Sequence, residues 1–151
     1  MHTEPIESYK NGYTLSTDRA RLDVPAIHRF LANTSYWAQG IPLAVVQKSI
    51  ENSLCFGIYY QEQQVGFARI ITDYATFAWL GDVFILEEHR GKGLSKWLME
   101  CITGHPELQR LRTWLLATRD AHGLYAQFGF KPLSSPERFM QIRNPQVYKN
   151  P

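Results

Sequence analysis

The sequence predicts one domain of the mixed α/β (α+β) class, with antiparallel hairpins first and a strand–helix–strand crossover later. Three observations support this prediction. The chain has 151 residues, a length typical of a single domain. Its composition, 44% hydrophobic and 20% charged, is that of a globular protein and excludes a disordered one. The apolar positions change from strand-like runs to a helical period. We therefore treat residues 1–151 as one domain.

The first predicted elements are a short strand and two helices. The strand ends at residues 13–15, after Asn11-Gly12. Asp23 precedes Val24-Pro25, a pattern typical of an N-cap with proline in the first turn. Apolar residues at helical spacing extend this helix to residue 33, and a second helix is predicted over residues 42–52.

Strands dominate the middle of the chain. Apolar runs predict strands over residues 54–60 and 65–72, joined by a polar hairpin turn, and a longer strand over residues 77–86. A period of 3.6 residues then begins at Leu94, predicts an amphipathic helix and ends before Pro106.

The last third of the chain is predicted to return to strands. A strand is expected over residues 112–118, and a short helix capped by Asp120 is expected to reach residue 127. Two further strands are expected over residues 130–133 and 138–142.

Charge and cysteine content narrow the possible functions. The 16 basic and 14 acidic residues leave a net charge of +2, too small for a protein that binds nucleic acid mainly through its field. Cys55 and Cys101 lie in apolar stretches and are expected to be free thiols in a reducing compartment. The sequence lacks the spacing of metal ligands, a signal peptide and a membrane-spanning run. We expect a cytoplasmic protein that binds no metal, nucleic acid or membrane.

The turn between the strand at 77–86 and the following helix is the most informative stretch. Its sequence is Arg90-Gly91-Lys92-Gly93. Free N–H groups at a helix N-terminus favour anions, and glycine lets the backbone approach them closely. One interpretation is a phosphate or pyrophosphate site, and the other is an ordinary turn with solvated basic side chains. The spacing matches neither the Walker loop nor the Rossmann fingerprint.

Two motifs resemble those of the GNAT family of N-acetyltransferases. Residues 90–95 resemble its R/Q-x-x-G-x-G/A motif, with Ser95 in the last position. Residues 124–130 resemble its second signature, a tyrosine followed by x-x-x-G-F, although Thr118 stands where the family often has asparagine. The resemblance covers nearly the whole chain. It implies the GNAT fold, a mixed, mostly antiparallel twisted sheet of six to seven strands flanked by about four helices.

The resemblance also implies acetyl-CoA as co-substrate. The glycine-containing turn would bind its pyrophosphate through backbone amides. The strand before it, counted as the fourth in the family, would pair with the pantetheine arm. The cofactor-binding residues implied in this way are Val83, Phe84, Ile85, Arg90, Gly91, Lys92, Gly93, Leu94 and Ser95.

Tyr125 and Asp82 are the candidate catalytic residues. The resemblance gives Tyr125 the role of protonating the departing CoA thiolate, and the alternative is a core aromatic residue. Asp82 interrupts the apolar run at 77–86, where a carboxylate is costly unless it is solvated, paired or used in chemistry. It is interpreted either as a base or cation-binding group for an amine, or as an ion-pair partner of Arg69.

The acceptor pocket has three aromatic candidates, Tyr36, Trp37 and Trp79. The alternative is that these side chains only pack against the rest of the protein. The expected function is acetyl transfer to the primary amine of a small molecule or amino-acid-like metabolite. The alternatives are a protein lysine or N-terminal acetyltransferase and a non-catalytic acyl-CoA-binding module. The sequence does not distinguish a monomer from a homodimer.

Overall fold

A mixed sheet of six strands forms the centre of the computed structural model, which describes residues 4–149. The strands lie across the sheet in chain order. They are β1 (Glu7–Lys10), β2 (Tyr13–Ser16), β3 (Leu54–Tyr60), β4 (Gln63–Thr72), β5 (Phe77–Ile85) and β6 (Thr113–Leu116). Strands β1 to β5 pair antiparallel, whereas β6 pairs parallel to β5. The predicted hairpins and the later crossover are therefore confirmed.

Four α-helices connect and cover these strands within the described residues. They are α1 (Val24–Asn33), α2 (Leu43–Glu51), α3 (Leu94–Thr103) and α4 (His122–Ala126). Helix α4 is shorter than predicted, and its N-cap is Ala121 rather than Asp120. No side chain caps α4, and the Thr118 hydroxyl accepts a hydrogen bond from the Ala121 N–H just before the helix begins.

The predicted first strand is the second half of a hairpin. Asn11 and Gly12 form its turn with φ angles of 50° and 85°, a left-handed pair suited to a two-residue hairpin. Strand β5 is therefore fifth in chain order, although the resemblance counted it as the fourth.

The sheet separates two apolar cores. Side chains alternate between the faces of a strand, so neighbours in β3 belong to different cores. Phe56 packs in a cluster with residues of α3, such as Leu98. Cys55 packs in a second cluster with residues of α1 and α2, such as Ile27 and Val46. Strand β5 contributes side chains to both clusters, and this packing on both faces fixes its position.

The two strands predicted over residues 130–133 and 138–142 are wrong. No strand follows β6 within the described part of the chain, so the sheet has the lower number of strands in the predicted range. Pro132 and Pro136 lack the N–H that a strand ladder needs. A 3₁₀ turn, Pro136–Arg138, lies between the two segments and includes the first residue of the second, which pairs with no strand among residues 4–149.

Among residues 4–149, no helix has the length and apolar character needed to cross a bilayer.

Helix α1 provides a test of the predicted cap. The Asp23 carboxylate accepts a hydrogen bond of 3.1 Å from the Ala26 N–H. We expect Asp23→Ala to lower the free energy of unfolding by about 1 kcal/mol, because one helix-terminal N–H loses its acceptor. Urea denaturation measures the change. Asp23→Asn is the matched control, since its amide oxygen can still accept; equal losses in both variants would contradict the cap.

Candidate active site

A cleft opens where β5 and β6 stop pairing. The parallel ladder ends at Leu80 and Leu116, although β5 continues to Ile85. Residues beyond the last pair, including Asp82 and Thr118, line the space between the two strands. One edge of β5 is thus left without a strand partner for several residues.

The cleft consists of two cavities. The first, of about 490 Å³, is lined by Arg69, Arg119 and Arg143 among others, and we call it the arginine cavity. The second, of about 460 Å³, extends to Arg90 and Ser95 at the start of α3, and we call it the turn cavity. The cavities meet along a shared wall, because seven residues, Val83 and Tyr125 among them, line both; the others are Tyr36, Trp37, Arg119, Asp120 and Ala121.

An extra residue in β5 shapes this junction. In the β4–β5 ladder, Phe67 faces Phe84, whereas Arg69, two positions later, faces Gly81, three positions earlier. Asp82 lies within this bulge with a φ of 54°, in the left-handed region. A bulge redirects side chains and increases the local twist. Left-handed backbone at a non-glycine residue costs energy and is concentrated at functional sites.

The Asp82 carboxylate is held by two partners. Its Oδ2 accepts from Arg69 Nε at 2.8 Å, and its Oδ1 accepts from Trp37 Nε1 at 2.8 Å. The ion pair with Arg69, one of the two interpretations of this residue, is therefore present. The carboxylate also lines the arginine cavity. A role in removing a proton from an amine stays a prediction.

The loop between α1 and α2 crosses the cleft. The Tyr36 hydroxyl accepts a hydrogen bond from the backbone N–H of Arg119 at 2.8 Å. The Arg119 guanidinium lies 3.9 Å from the centre of the Tyr36 ring, a cation–π contact. Since Trp37 binds Asp82 on β5, this loop contacts both sides of the cleft. All three predicted acceptor residues, Tyr36, Trp37 and Trp79, line the arginine cavity.

The glycine-containing turn has the backbone geometry of an anion site. Gly91 and Gly93 have φ angles of 76° and 78°, and a Cβ at either position would meet no atom within 4 Å. Within the described chain, no hydrogen bond engages the N–H groups of residues 91–96. These groups, at the N-terminus of α3, are available to an anion.

The other predicted cofactor residues form three groups, which differ in the exposure of their side chains. Arg90 and Lys92 are exposed, and the Arg90 Nε donates to the Ile85 carbonyl at 2.9 Å, which fixes the turn against the end of β5. Leu94 is buried in the core, so only its backbone faces the turn. The side chains of Phe84 and Ile85 are likewise buried. Val83 and Ser95 line the turn cavity.

Tyr125 is buried at the junction of the cavities, and burial raises the pKa of its phenol to about 12. Gly129, with a positive φ of 95°, ends the turn after α4. The phenol is therefore protonated at neutral pH and able to donate.

Sequence reasoning missed Arg143. This residue lines the arginine cavity from the C-terminal segment, and no described side chain forms an ion pair with it. Nothing in the local sequence indicates this position, because the segment reaches the cleft only through the tertiary fold. Arg119, by contrast, lies in the chain shortly before the second signature at residues 124–130.

The cysteines fit the expectation of free thiols. Cys55 is buried, Cys101 is half-buried, and neither forms a disulfide. Burial raises the pKa of Cys55 to about 12, so its thiol is a poor nucleophile. In the part of the chain that the structure describes, no group of three His, Cys, Asp or Glu side chains could hold a metal ion.

The chain is similar to known proteins of one family. The sequence profile of the "Acetyltransferase (GNAT) domain" family matches residues 51–132, more than half of the chain. The chain belongs to the GNAT acetyltransferase family. A curated protein from Gibberella zeae, whose name includes the word acetyltransferase, is 33% identical over 85% of each chain.

Solved structures have the same GNAT fold. A GNAT family protein from Xanthomonas campestris is 53% identical, with a TM-score of 0.89 over 91% of this chain and 97% of its own. A GNAT family acetyltransferase from Elizabethkingia anophelis, solved with acetyl-CoA bound, has a TM-score of 0.61 over 91% of this chain and 92% of its own. Its identity is 12%, so this second likeness concerns the fold alone.

Proposed function

We propose that this GNAT acetyltransferase transfers the acetyl group of acetyl-CoA to the primary amine of a small, amino-acid-like molecule. The meeting of the two cavities at Val83 and Tyr125 is the observation that carries this proposal. One cavity extends from the anion-binding turn, and the other is lined by aromatic and charged side chains. The Elizabethkingia protein of the same fold, which binds acetyl-CoA, supports the choice of donor.

The turn and β5 would hold the donor. The free N–H groups of residues 91–96 suit the pyrophosphate, because they present partial positive charge without a side chain in the way. The edge of β5 beyond Leu80, which β6 leaves unpaired, offers backbone groups of Val83 to the pantetheine arm and to negative charge that develops on the thioester oxygen.

Tyr125 would supply the proton to the departing sulfur. When the amine nitrogen bonds to the acetyl carbon, the carbon–sulfur bond breaks and the electron pair leaves with the CoA sulfur. A phenol whose pKa is raised to about 12 holds its proton at neutral pH and can give it to this thiolate. The attacking nitrogen loses a proton in exchange.

Asp82 is our candidate for the group that receives this proton, directly or through water. Its two oxygens each accept one hydrogen bond, from Arg69 and Trp37, which leaves lone pairs free for a further contact. The carboxylate would also attract an amine that arrives as a cation.

The charges around the arginine cavity favour an acceptor that carries a carboxylate. Arg69 is neutralised by Asp82 at 2.8 Å, and Arg119 lies 3.6 Å from Asp120. Arg143 has no acidic partner among the described residues, so the cavity has an excess positive charge. An amino-acid-like molecule would place its amine toward Asp82 and its carboxylate toward this side chain.

A protein lysine or N-terminal acetyltransferase is the second candidate class, and an acyl-CoA-binding module without catalysis is the third. The loop contacts of Tyr36 with Arg119 and Trp37 with Asp82 bridge the cleft and interrupt any long peptide groove. Release of CoA across a panel of amines and peptides separates the three classes. The free thiols support the expected cytoplasmic location.

The donor site is tested by Gly93→Glu. We expect this variant to lose acetyl-CoA binding, because the new carboxylate occupies the open space at the turn and repels the pyrophosphate. Calorimetric titration measures the affinity. Gly129→Glu is the matched control, since Gly129 also has a positive φ and open space but lies outside the turn. Undiminished affinity in folded Gly93→Glu would refute the site.

The proton donor is tested by Tyr125→Phe. We expect kcat to fall roughly 10- to 1000-fold, the usual range for general acid–base catalysis, while the Kd for acetyl-CoA changes little. An unchanged kcat, with chemistry shown to be rate-limiting, would reduce Tyr125 to a packing residue.

The alkaline pH profile gives an independent readout of Tyr125. A phenol donates only below its pKa, and burial raises that pKa to about 12. We therefore expect the wild-type kcat to stay constant up to about pH 10. A loss of kcat centred near neutral pH would indicate a different donor.

The role of Asp82 is tested by Asp82→Asn. We expect kcat/KM for the amine to fall roughly 10- to 100-fold, most below about pH 8, where an amine of pKa near 10.4 has little free base. Arg69→Gln is the control, since it breaks the same ion pair and keeps the carboxylate. Equal losses of kcat/KM and Tm in both variants would make Asp82 a structural partner only.

A further inference from the structure

A chain of hydrogen bonds connects Asp82 to the end of helix α2. The guanidinium of Arg69 donates through Nε to the Asp82 carboxylate at 2.8 Å and through Nη1 to the Ser53 hydroxyl at 3.1 Å. The Ser53 hydroxyl donates in turn to the backbone carbonyl of Ser49 at 2.6 Å. The carboxylate of the cleft is thereby connected, through two side chains, to a helix that contributes no residue to either cavity.

The register of the sheet brings Arg69 between these partners. In the ladders, Arg69 faces Cys55 on β3 and Gly81 on β5. Residues that face each other across an antiparallel pair point to the same side of the sheet, so the Arg69 side chain points, like that of Cys55, toward α1 and α2. Ser53 lies two residues before Cys55, and Asp82 directly follows Gly81. The arginine therefore reaches from β5 to the end of α2.

Ser53 is itself held at each of its polar groups. Its N–H donates to the Ile50 carbonyl at 3.3 Å, and its carbonyl accepts from Arg19 Nη2 at 3.0 Å. The residue is only 6% exposed, so water competes little for its hydroxyl. A serine fixed in this way offers Arg69 an acceptor whose position does not change.

Two bonds fix the guanidinium more firmly than one. A planar group held at a single donor can rotate about that bond, whereas the second bond, to Ser53, sets its plane. Without Ser53, the guanidinium would be free to turn and form the two-bond fork that arginine prefers with a carboxylate. Such a fork would engage Asp82 Oδ1, which now accepts from Trp37.

We infer that Ser53 is a positioning residue for acetyl transfer: it fixes the Arg69 guanidinium, which holds the Asp82 carboxylate with Oδ1 turned toward Trp37 and the amine. The inference rests on the proposed function, in which Asp82 receives the proton of the amine. Ser53 lines neither cavity, so it acts through Arg69 and contacts no substrate. The left-handed backbone of Asp82 requires such support, because this conformation persists only when the surrounding structure holds it.

Nuclear magnetic resonance tests the geometry without a substrate. The indole N–H of Trp37 donates to Asp82, so its resonance reports the position of the carboxylate. We expect this resonance, identified by its loss in Trp37→Phe, to shift in Ser53→Ala and to keep its position in Ser53→Thr, which retains the hydroxyl. Thr103→Ala is the matched control and should cause no shift, because the Thr103 hydroxyl likewise donates to a helix carbonyl four residues earlier, but in α3.

Kinetic measurements test the consequence for activity. We expect Ser53→Ala to lower kcat/KM for the most active amine of the panel roughly 3- to 10-fold, the effect of one hydrogen bond, and to leave the KM for acetyl-CoA unchanged. In the Asp82→Asn background the same substitution should cause no further loss, since Ser53 acts only through the carboxylate. Should Ser53→Ala not fold, Arg69→Lys replaces it in both measurements, because a lysine ammonium lacks the planar set of donors.

The outcomes separate this inference from the proposed function. An unshifted Trp37 resonance, an unchanged kcat/KM in Ser53→Ala, or an equal further loss in the Asp82→Asn background would each overturn the inference and leave the role of Asp82 intact. Full activity of Asp82→Asn would instead refute the role proposed for Asp82, and the inference would fail with it.

Discussion

The site depends on one local distortion, the bulge that places Asp82 in the left-handed region of the backbone. The bulge interrupts the regular register with β4, and the ladder with β6 ends two residues earlier, at Leu80. A continuous ladder would leave no unpaired edge for a ligand. Left-handed backbone at aspartate is unfavourable, and the bonds from Arg69 and Trp37 stabilise it.

The loop between α1 and α2 crosses the cleft that results and is bonded to both of its sides. This loop reaches β5 through Trp37 and reaches the segment after β6 through Tyr36. Both hydrogen bonds are 2.8 Å long, and the ring of Tyr36 also contacts a guanidinium. Both side chains line the arginine cavity and the turn cavity, so this loop contributes to the wall of each.

The ionisable side chains of the site differ in their burial, and this difference determines how strongly their charges interact. The pair of Arg69 and Asp82 is shielded from solvent, so each charge depends on the other. The pair of Arg119 and Asp120 is largely exposed and contributes little to stability, although it adds charge at the entrance. Burial raises the pKa of Tyr125, which keeps the phenol protonated at neutral pH.

The sequence determined the features that depend on neighbouring residues. The Asp23 cap and the helical period after Leu94 were both predicted correctly, because a cap and an amphipathic face each need only a few consecutive residues. The two motifs also identified the family, since their spacing is a property of the chain itself.

Only the tertiary structure decided the features that depend on register and on distant partners. The contacts of Trp37 with Asp82 and of Tyr36 with Arg119 join residues 45 and 83 positions apart. The bulge exists only relative to β4, and Arg143 reaches the cleft only because the chain crosses it. The failed strand prediction for residues 138–142 has the same cause, because an apolar pattern predicts the tendency to pair, whereas a strand requires a neighbour that supplies the hydrogen bonds.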